Sequence, residues 1–198
     1  SRLPEIVKNI ALIYKELGQN DKALAAIETA RASNPDDVGL IITAANIYFE
    51  LDNKEAFKLA MSEAIEKEPN NPVLYYNLGV VSGELGEKED AVSYYEKSIE
   101  LDPSNENSYL NLVALILDGE QEIVNEMNNL GTSRADNLRY DELKKVREDL
   151  YKQCVPILKD LIAINNNVEA IRTLMNIYGT LGDNPGYVEM RNLLDQQE

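Results

Sequence analysis

Three prolines, Pro35, Pro69 and Pro103, stand 34 residues apart, and most of the chain keeps step with them. Tyr14 and Tyr48 repeat at the same interval, as do Leu17, Leu51 and Leu85, and two such intervals separate Asn9 from Asn77. A fixed period of this size marks stacked copies of one helix-turn-helix unit, none of which can bury its apolar face alone.

The spacing within the units supports helices. Counting from Pro4, the first unit runs over residues 4–37. Val7, Ile10, Ala11, Tyr14 and Leu17 form one helical stripe, Gly18 ends that helix, and Ala23, Ile27 and Ala30 form a second stripe that Pro35 stops. Residues 38–71 repeat the pattern with Ile41, Ala44, Ala45, Tyr48 and Leu51, then Phe57, Met61 and Ala64. Residues 72–105 carry Tyr75, Leu78, Gly79, Leu85 and Gly86, then Ala91, Tyr95 and Ser98. Small residues at Ala11, Ala45 and Gly79 let the two helices of a unit approach closely.

The fourth unit, 106–167, is interrupted. Tyr109, Leu112, Val113 and Ile116 are in phase, but the matching second stripe is displaced to Cys154, Leu158 and Leu161. About 29 residues are inserted, spanning roughly 119–150. Their apolar residues keep helical spacing at Ile123, Val124, Met127 and Leu130, and again at Leu143, Val146 and Leu150. The expectation is that both helices lengthen by roughly four turns into an antiparallel hairpin turning around Gly131 to Arg139. Pro156, inside the returning helix, is expected to bend it. A fifth unit, 168–198, has Ile171, Leu174, Met175, Tyr178, Leu181 and Gly182 in its first helix and opens its second at Pro185.

Totals narrow the function classes. The chain has 198 residues, 19 basic against 35 acidic, and a formal charge of -16. Such a balance argues against nucleic acid and against docking on anionic lipid. No run of about 18 apolar residues is present, so no membrane insertion is expected. The chain opens within a few residues of a helical pattern, with no secretory leader before Arg2, which reads as a trimmed or mature form. Histidine and tryptophan are absent, which removes the commonest general base and the commonest metal ligand. The single cysteine, Cys154, occupies a small-residue packing slot and reads as a buried, inert thiol. The acidic residues are regularly spaced instead of gathered, and there is no glycine-rich phosphate loop, so the chain reads as non-enzymatic, without cofactor or metal. Catalysis through paired carboxylates is the remote alternative.

These units resemble tetratricopeptide repeats. The third shows it best, in Tyr75, Leu78-Gly79, Ala91, Tyr95 and Pro103. It departs at Ser82, where tyrosine is usual, and the second unit departs at Phe57, where alanine is usual. The resemblance implies an all-α fold, a right-handed α-solenoid of about five repeats forming a single domain. It also implies a scaffold for partner proteins, and a scaffold alone does not define a function. The interrupted fourth unit and the ending resemble exported bacterial members of the family, which implies a periplasmic or cell-envelope location.

In this family the first helices of successive repeats line a concave groove, and some members hold the backbone of an extended peptide with a ladder of asparagines. Here the ladder position holds Asn9, Thr43, Asn77, Asn111 and Thr173. A carboxamide both donates and accepts, so it can pair with a peptide unit whatever the side chain. With Asn46, Tyr76 and Leu110, the residues Asn9, Asn77 and Asn111 are the candidate partner-binding set; solvated asparagines are the plainer reading. Ile42, Phe49, Val80 and Leu117 also fall on groove positions. An acidic row, Glu16, Glu50, Glu84 and Asp118, recurs every 34 residues and would suit a basic partner, or simply form a soluble face. Other relatives grip a C-terminal carboxylate with lysine, asparagine and arginine. Lys8 and Asn77 fit that clamp, but Leu12 stands where asparagine is needed and Val73 and Tyr76 replace basic residues, so it is not carried over.

The resulting expectation is a protein-protein interaction module that binds an extended peptide or protein segment in its groove. Structural self-association through the N-terminal repeat, at Leu3, Ile6 and Ile13, is the alternative.

Overall fold

Most helix boundaries in the computed structural model coincide with a capping or breaking signal in the sequence. The structure describes residues 3–197, and the described residues contain eleven α-helices and no strand. They form two compact units that divide between Asp102 and Pro103.

The first unit consists of three helix pairs: α1 (Leu3–Glu16) with α2 (Asn20–Ser33), α3 (Val38–Glu50) with α4 (Lys54–Lys67), and α5 (Pro72–Glu84) with α6 (Lys88–Leu101). Asp37, Asn53 and Asn71 cap α3, α4 and α5, each accepting a hydrogen bond from a backbone N–H of the first turn. The turn between paired helices needs a left-handed residue. Gly18, Asp52 and Gly86 supply it at 34-residue intervals with φ of 69°, 55° and 78°.

Packing follows the period. Ala11, Ala23, Ile27 and Ala30 bury Leu40, Ala44 and Ile47 of α3. Phe57, Ala60, Met61 and Ala64 of α4, with Ile41 and Ala45 of α3, bury Leu74, Leu78 and Val81 of α5. Gly79 is obligatory at its crossing, because a Cβ there would lie 2.7 Å from the ring of Tyr95. Three stripe positions of the first unit are not core: Ile10 and Leu17 are exposed, because α1 turns only one side toward α2 and α3, and Leu51 is exposed just after α3.

The second unit contains α7 (Glu106–Ile116), α8 (Glu120–Asn129), α9 (Arg134–Asn165), α10 (Val168–Leu181) and α11 (Asn184–Asp195). The expected uninterrupted lengthening of the first helix does not occur. α7 stops at Ile116, Gly119 adopts a left-handed φ of 88°, and the inserted residues begin a separate helix, α8. The turn is also tighter than the expected Gly131 to Arg139. Ser133 and Asp136 form a reciprocal capping box that starts α9 at Arg134. α9 then runs 32 residues, continuous through the exposed Pro156. Its first part packs on α8, and Tyr151, Cys154, Leu158, Leu161 and Ile162 of its second part are buried where it meets α7 and α10.

Candidate binding groove

Within the first unit, α1, α3 and α5 occupy the first-helix place of their pairs, and two cavities open along them. One, of about 260 Å³, is lined by Asn46 and Phe49 of α3, Phe57 of α4, and Tyr76, Asn77, Val80 and Val81 of α5. The other, also about 260 Å³, is lined by Lys8, Leu12 and Lys15 of α1 and by Gly39, Ile42, Thr43, Asn46 and Ile47 of α3. Asn46 lines both.

Each wall has a local cause. Tyr76 is held by a tilted ring contact with Tyr95, their centroids 6.1 Å apart. Phe49 is exposed and leans on the buried Phe57, centroids 5.6 Å apart. In the sequence Phe57 stands both in the second apolar stripe of its repeat and where alanine is usual. The structure shows its consequence, which is an aromatic floor where a methyl would have left the cavity deeper. Lys8 and Leu12 of the second cavity figure in the sequence only through the carboxylate clamp that is not carried over, and Lys15 not at all. Their signal was their spacing, 8, 12 and 15, along one face of α1.

Of the candidate set, Asn46, Tyr76 and Asn77 therefore line one cavity. Asn9 is exposed on α1 and lines neither. Its 34-residue equivalent on α3, Thr43, is buried and donates from its hydroxyl to the Gly39 carbonyl at 2.7 Å. Leu110 and Asn111 are half-buried on α7 in the second unit.

The acidic row is partly neutralised within the first unit. Lys15 of α1 meets Glu50 at 2.7 Å and Lys54 of α4 meets Glu84 at 3.0 Å. Glu16 ends α1 and Asp118 follows α7, both exposed. A basic partner of this row would have to displace two lysines already in place.

Among the described residues no group of three or more His, Cys, Asp or Glu is placed to hold a metal ion, and no helix is long and apolar enough to cross a membrane. Cys154 is fully buried in α9, and burial pushes its thiol up to about 11, so it carries no thiolate at neutral pH.

Two family models, both described as tetratricopeptide repeat, match residues 72–105 and 9–37. Among curated proteins none matches. Solved structures share the fold. A MamA protein is 16% identical, with a TM-score of 0.66, covering 100% of this chain and 92% of its own. A putative protein binding protein from Bacteroides ovatus is 21% identical, with a TM-score of 0.60, covering 91% and 98%. The first repeat domain of Spaghetti (RPAP3), bound to an HSP90 peptide, is 21% identical, with a TM-score of 0.54, covering 63% of this chain and 95% of its own. At these identities the likeness establishes the α-solenoid fold class and nothing finer. With the 34-residue period, the capped helix pairs and the two matched repeats, the chain is a tetratricopeptide-repeat protein.

Proposed function

We propose that this interaction module binds an extended protein segment along α3 and α5, seating one apolar side chain between Phe49, Phe57, Tyr76 and Val80. The observation that carries this reading is the coincidence of an aromatic-floored cavity with two carboxamides, Asn46 and Asn77, on its wall. An apolar cavity with a few convergent polar groups is the usual form of a recognition site. Amides placed beside it pair with a backbone whatever the sequence, while the cavity selects the side chain. That one neighbour in fold was solved with a peptide bound supports the class of partner. The carboxylate clamp expected of some relatives has no support, since Leu12, Val73 and Tyr76 occupy its places.

A combinatorial library of short peptides, displayed against the chain, tests the reading. The enriched peptides are expected to share one large apolar residue. Phe49→Ala should weaken them by about tenfold, or about 1.4 kcal/mol. Asn46→Ala with Asn77→Ala should weaken all of them whatever their flanking residues. Equal binding by these variants, with unchanged helical circular dichroism, removes the cavity as the site.

A further inference from the structure

The large apolar residues left exposed in the first unit are concentrated on one helix. Ile6, Ile10, Ile13 and Leu17 are 52%, 43%, 56% and 63% exposed. Their spacing of 4, 3 and 4 places them in a single stripe along α1 and its last turn, the pattern of a two-helix seam.

The period identifies what such a stripe is for. Moving Ile6, Ile10 and Ile13 forward by 34 gives Leu40, Ala44 and Ile47, and by 68 gives Leu74, Leu78 and Val81. All six are at most 1% exposed, and each trio is covered by the preceding helix pair. On α1 the same register is a helix-packing face with no described helix over it.

We infer that this face pairs with the same face of a second copy of the chain, α1 against α1 in antiparallel orientation. The stripe is self-complementary in that orientation. Ile10 meets Ile13 of the other copy, Ile6 meets Leu17, and the two-fold axis makes each contact twice. Charge favours this helix as a meeting place. The chain carries -16, so two copies repel over most of their surface. α1 is neutral, with Glu5 and Glu16 against Lys8 and Lys15. Four side chains about half exposed make a patch on the order of 400 Å² per copy, about half of what each partner gives a standard interface. The dimer is therefore weak and depends on concentration. The inference does not rest on the peptide-binding reading, since none of the four residues lines either cavity.

Sedimentation equilibrium over a wide concentration range tests it. The expected mass rises from 22.2 kDa toward twice that value. Ile10→Lys and Ile13→Glu should each weaken the dimer by about tenfold or more. The double variant Ile10→Lys/Ile13→Glu should regain part of the loss, because the two introduced charges then face each other across the axis. A chain that stays monomeric throughout, or single variants as dimeric as the parent, overturns the pairing. A double variant no better than the singles overturns the antiparallel register. Cross-linking keeps the idea testable if a charged variant misfolds. Chains with Ile10→Cys mixed with chains with Ile13→Cys should form disulfide-linked dimers faster than either alone, the native Cys154 being buried. Equal rates in the mixture and the separate samples also overturn the register.

Discussion

In the first unit α5 buries Leu74, Leu78, Gly79, Val81 and Ser82 against its neighbours, whereas α8 in the second unit buries no residue at all. They are of similar length, 13 and 10 residues, but α5 is apolar nearly all round and α8 is apolar along one side only. α5 packs on α4 and α6 of its own unit, and its buried apolar residues lie against them. α8 packs mainly on α9, and its apolar Ile123, Val124 and Met127 are no more than half-buried. What α8 has instead is polar. Arg139 donates to Glu126, Arg147 donates to Glu120 at 2.5 Å, and Tyr151 donates to the same Glu120 at 2.7 Å. Periodic repeats are held by burial, whereas residues 119–150 of the hairpin bury only Leu143 and add charge-assisted hydrogen bonds between its two arms.

The sharpest way to break that comparison is by truncation. Leu78→Ala in the first unit and Leu158→Ala in the second, both essentially inaccessible, should each cost about 2–5 kcal/mol in urea unfolding. Met127→Ala on α8 should cost about 1 kcal/mol or less. A Met127 loss as large as the leucine losses would mean that α8 is an ordinary core helix. Gly79→Ala belongs beside the leucines, at about 1–3 kcal/mol, because the added Cβ meets Tyr95 at 2.7 Å and must displace a ring already packed on Tyr76.

A smaller effect separates the two units by pH. Tyr48 donates to Glu28 in the first unit, and Tyr151 to Glu120 in the second. Burial, then the neighbouring carboxylate, raises both phenols above their ordinary value of 10.0. The unfolded chain therefore loses these protons first. The stability they contribute is fully present below about pH 10 and is lost as pH rises through the raised folded values. Tyr151→Phe should remove about 1 kcal/mol at neutral pH and flatten the alkaline loss of the hairpin. Tyr48→Phe should do the same in the first unit. An unchanged alkaline slope in the Tyr151 variant would show that the Glu120 cluster does not hold the hairpin.

The regular part of the fold was legible because its signals are local and repeated. Ala11, Ala45 and Gly79 declare their close packing by recurring, and Gly18 and Gly86 announce helix ends. The inserted part was legible in type but not in its breaks. Gly119 sits inside an otherwise continuous apolar pattern, and only its left-handed backbone separates α7 from α8. Ser133 and Asp136 do spell a capping box, but a turn of four residues is easily read as longer when its flanks are polar. For the candidate site, period alone put Asn9, Asn77 and Asn111 in one class. Period cannot say which neighbour covers a position. That is why Thr43 is buried and Asn9 exposed at equivalent places, and why Glu50 and Glu84 turned out to have lysine partners. Phe57 belongs to the cavity through a contact across the pair, which a stripe on one helix does not display.

The last test concerns the free end of the hairpin, where the polar account is most exposed to failure. Arg139 bridges from α9 to Glu126 on α8 and also to Glu142 on its own helix, all three side chains well exposed. Its hydrogen bond holds the Glu126 carboxyl below its usual value. The unfolded chain takes up that proton at a higher pH than the folded one. The contribution is thus present above the ordinary carboxylate range and is lost as pH falls through the lowered folded value. Because the pair is screened by solvent, Arg139→Ala should leave global unfolding almost unchanged. Its effect belongs in local opening, read by amide hydrogen exchange. Amides of α8 near Glu126 and Met127 should exchange faster in the variant at neutral pH. In the parent they should approach the variant's rate, after correction for intrinsic exchange, only in acid. If α8 protection is the same in parent and variant at neutral pH, then Ile123, Val124 and Met127 against Leu143 hold the hairpin end. The contrast between buried repeats and a charge-held insertion would then narrow to the Glu120 cluster alone.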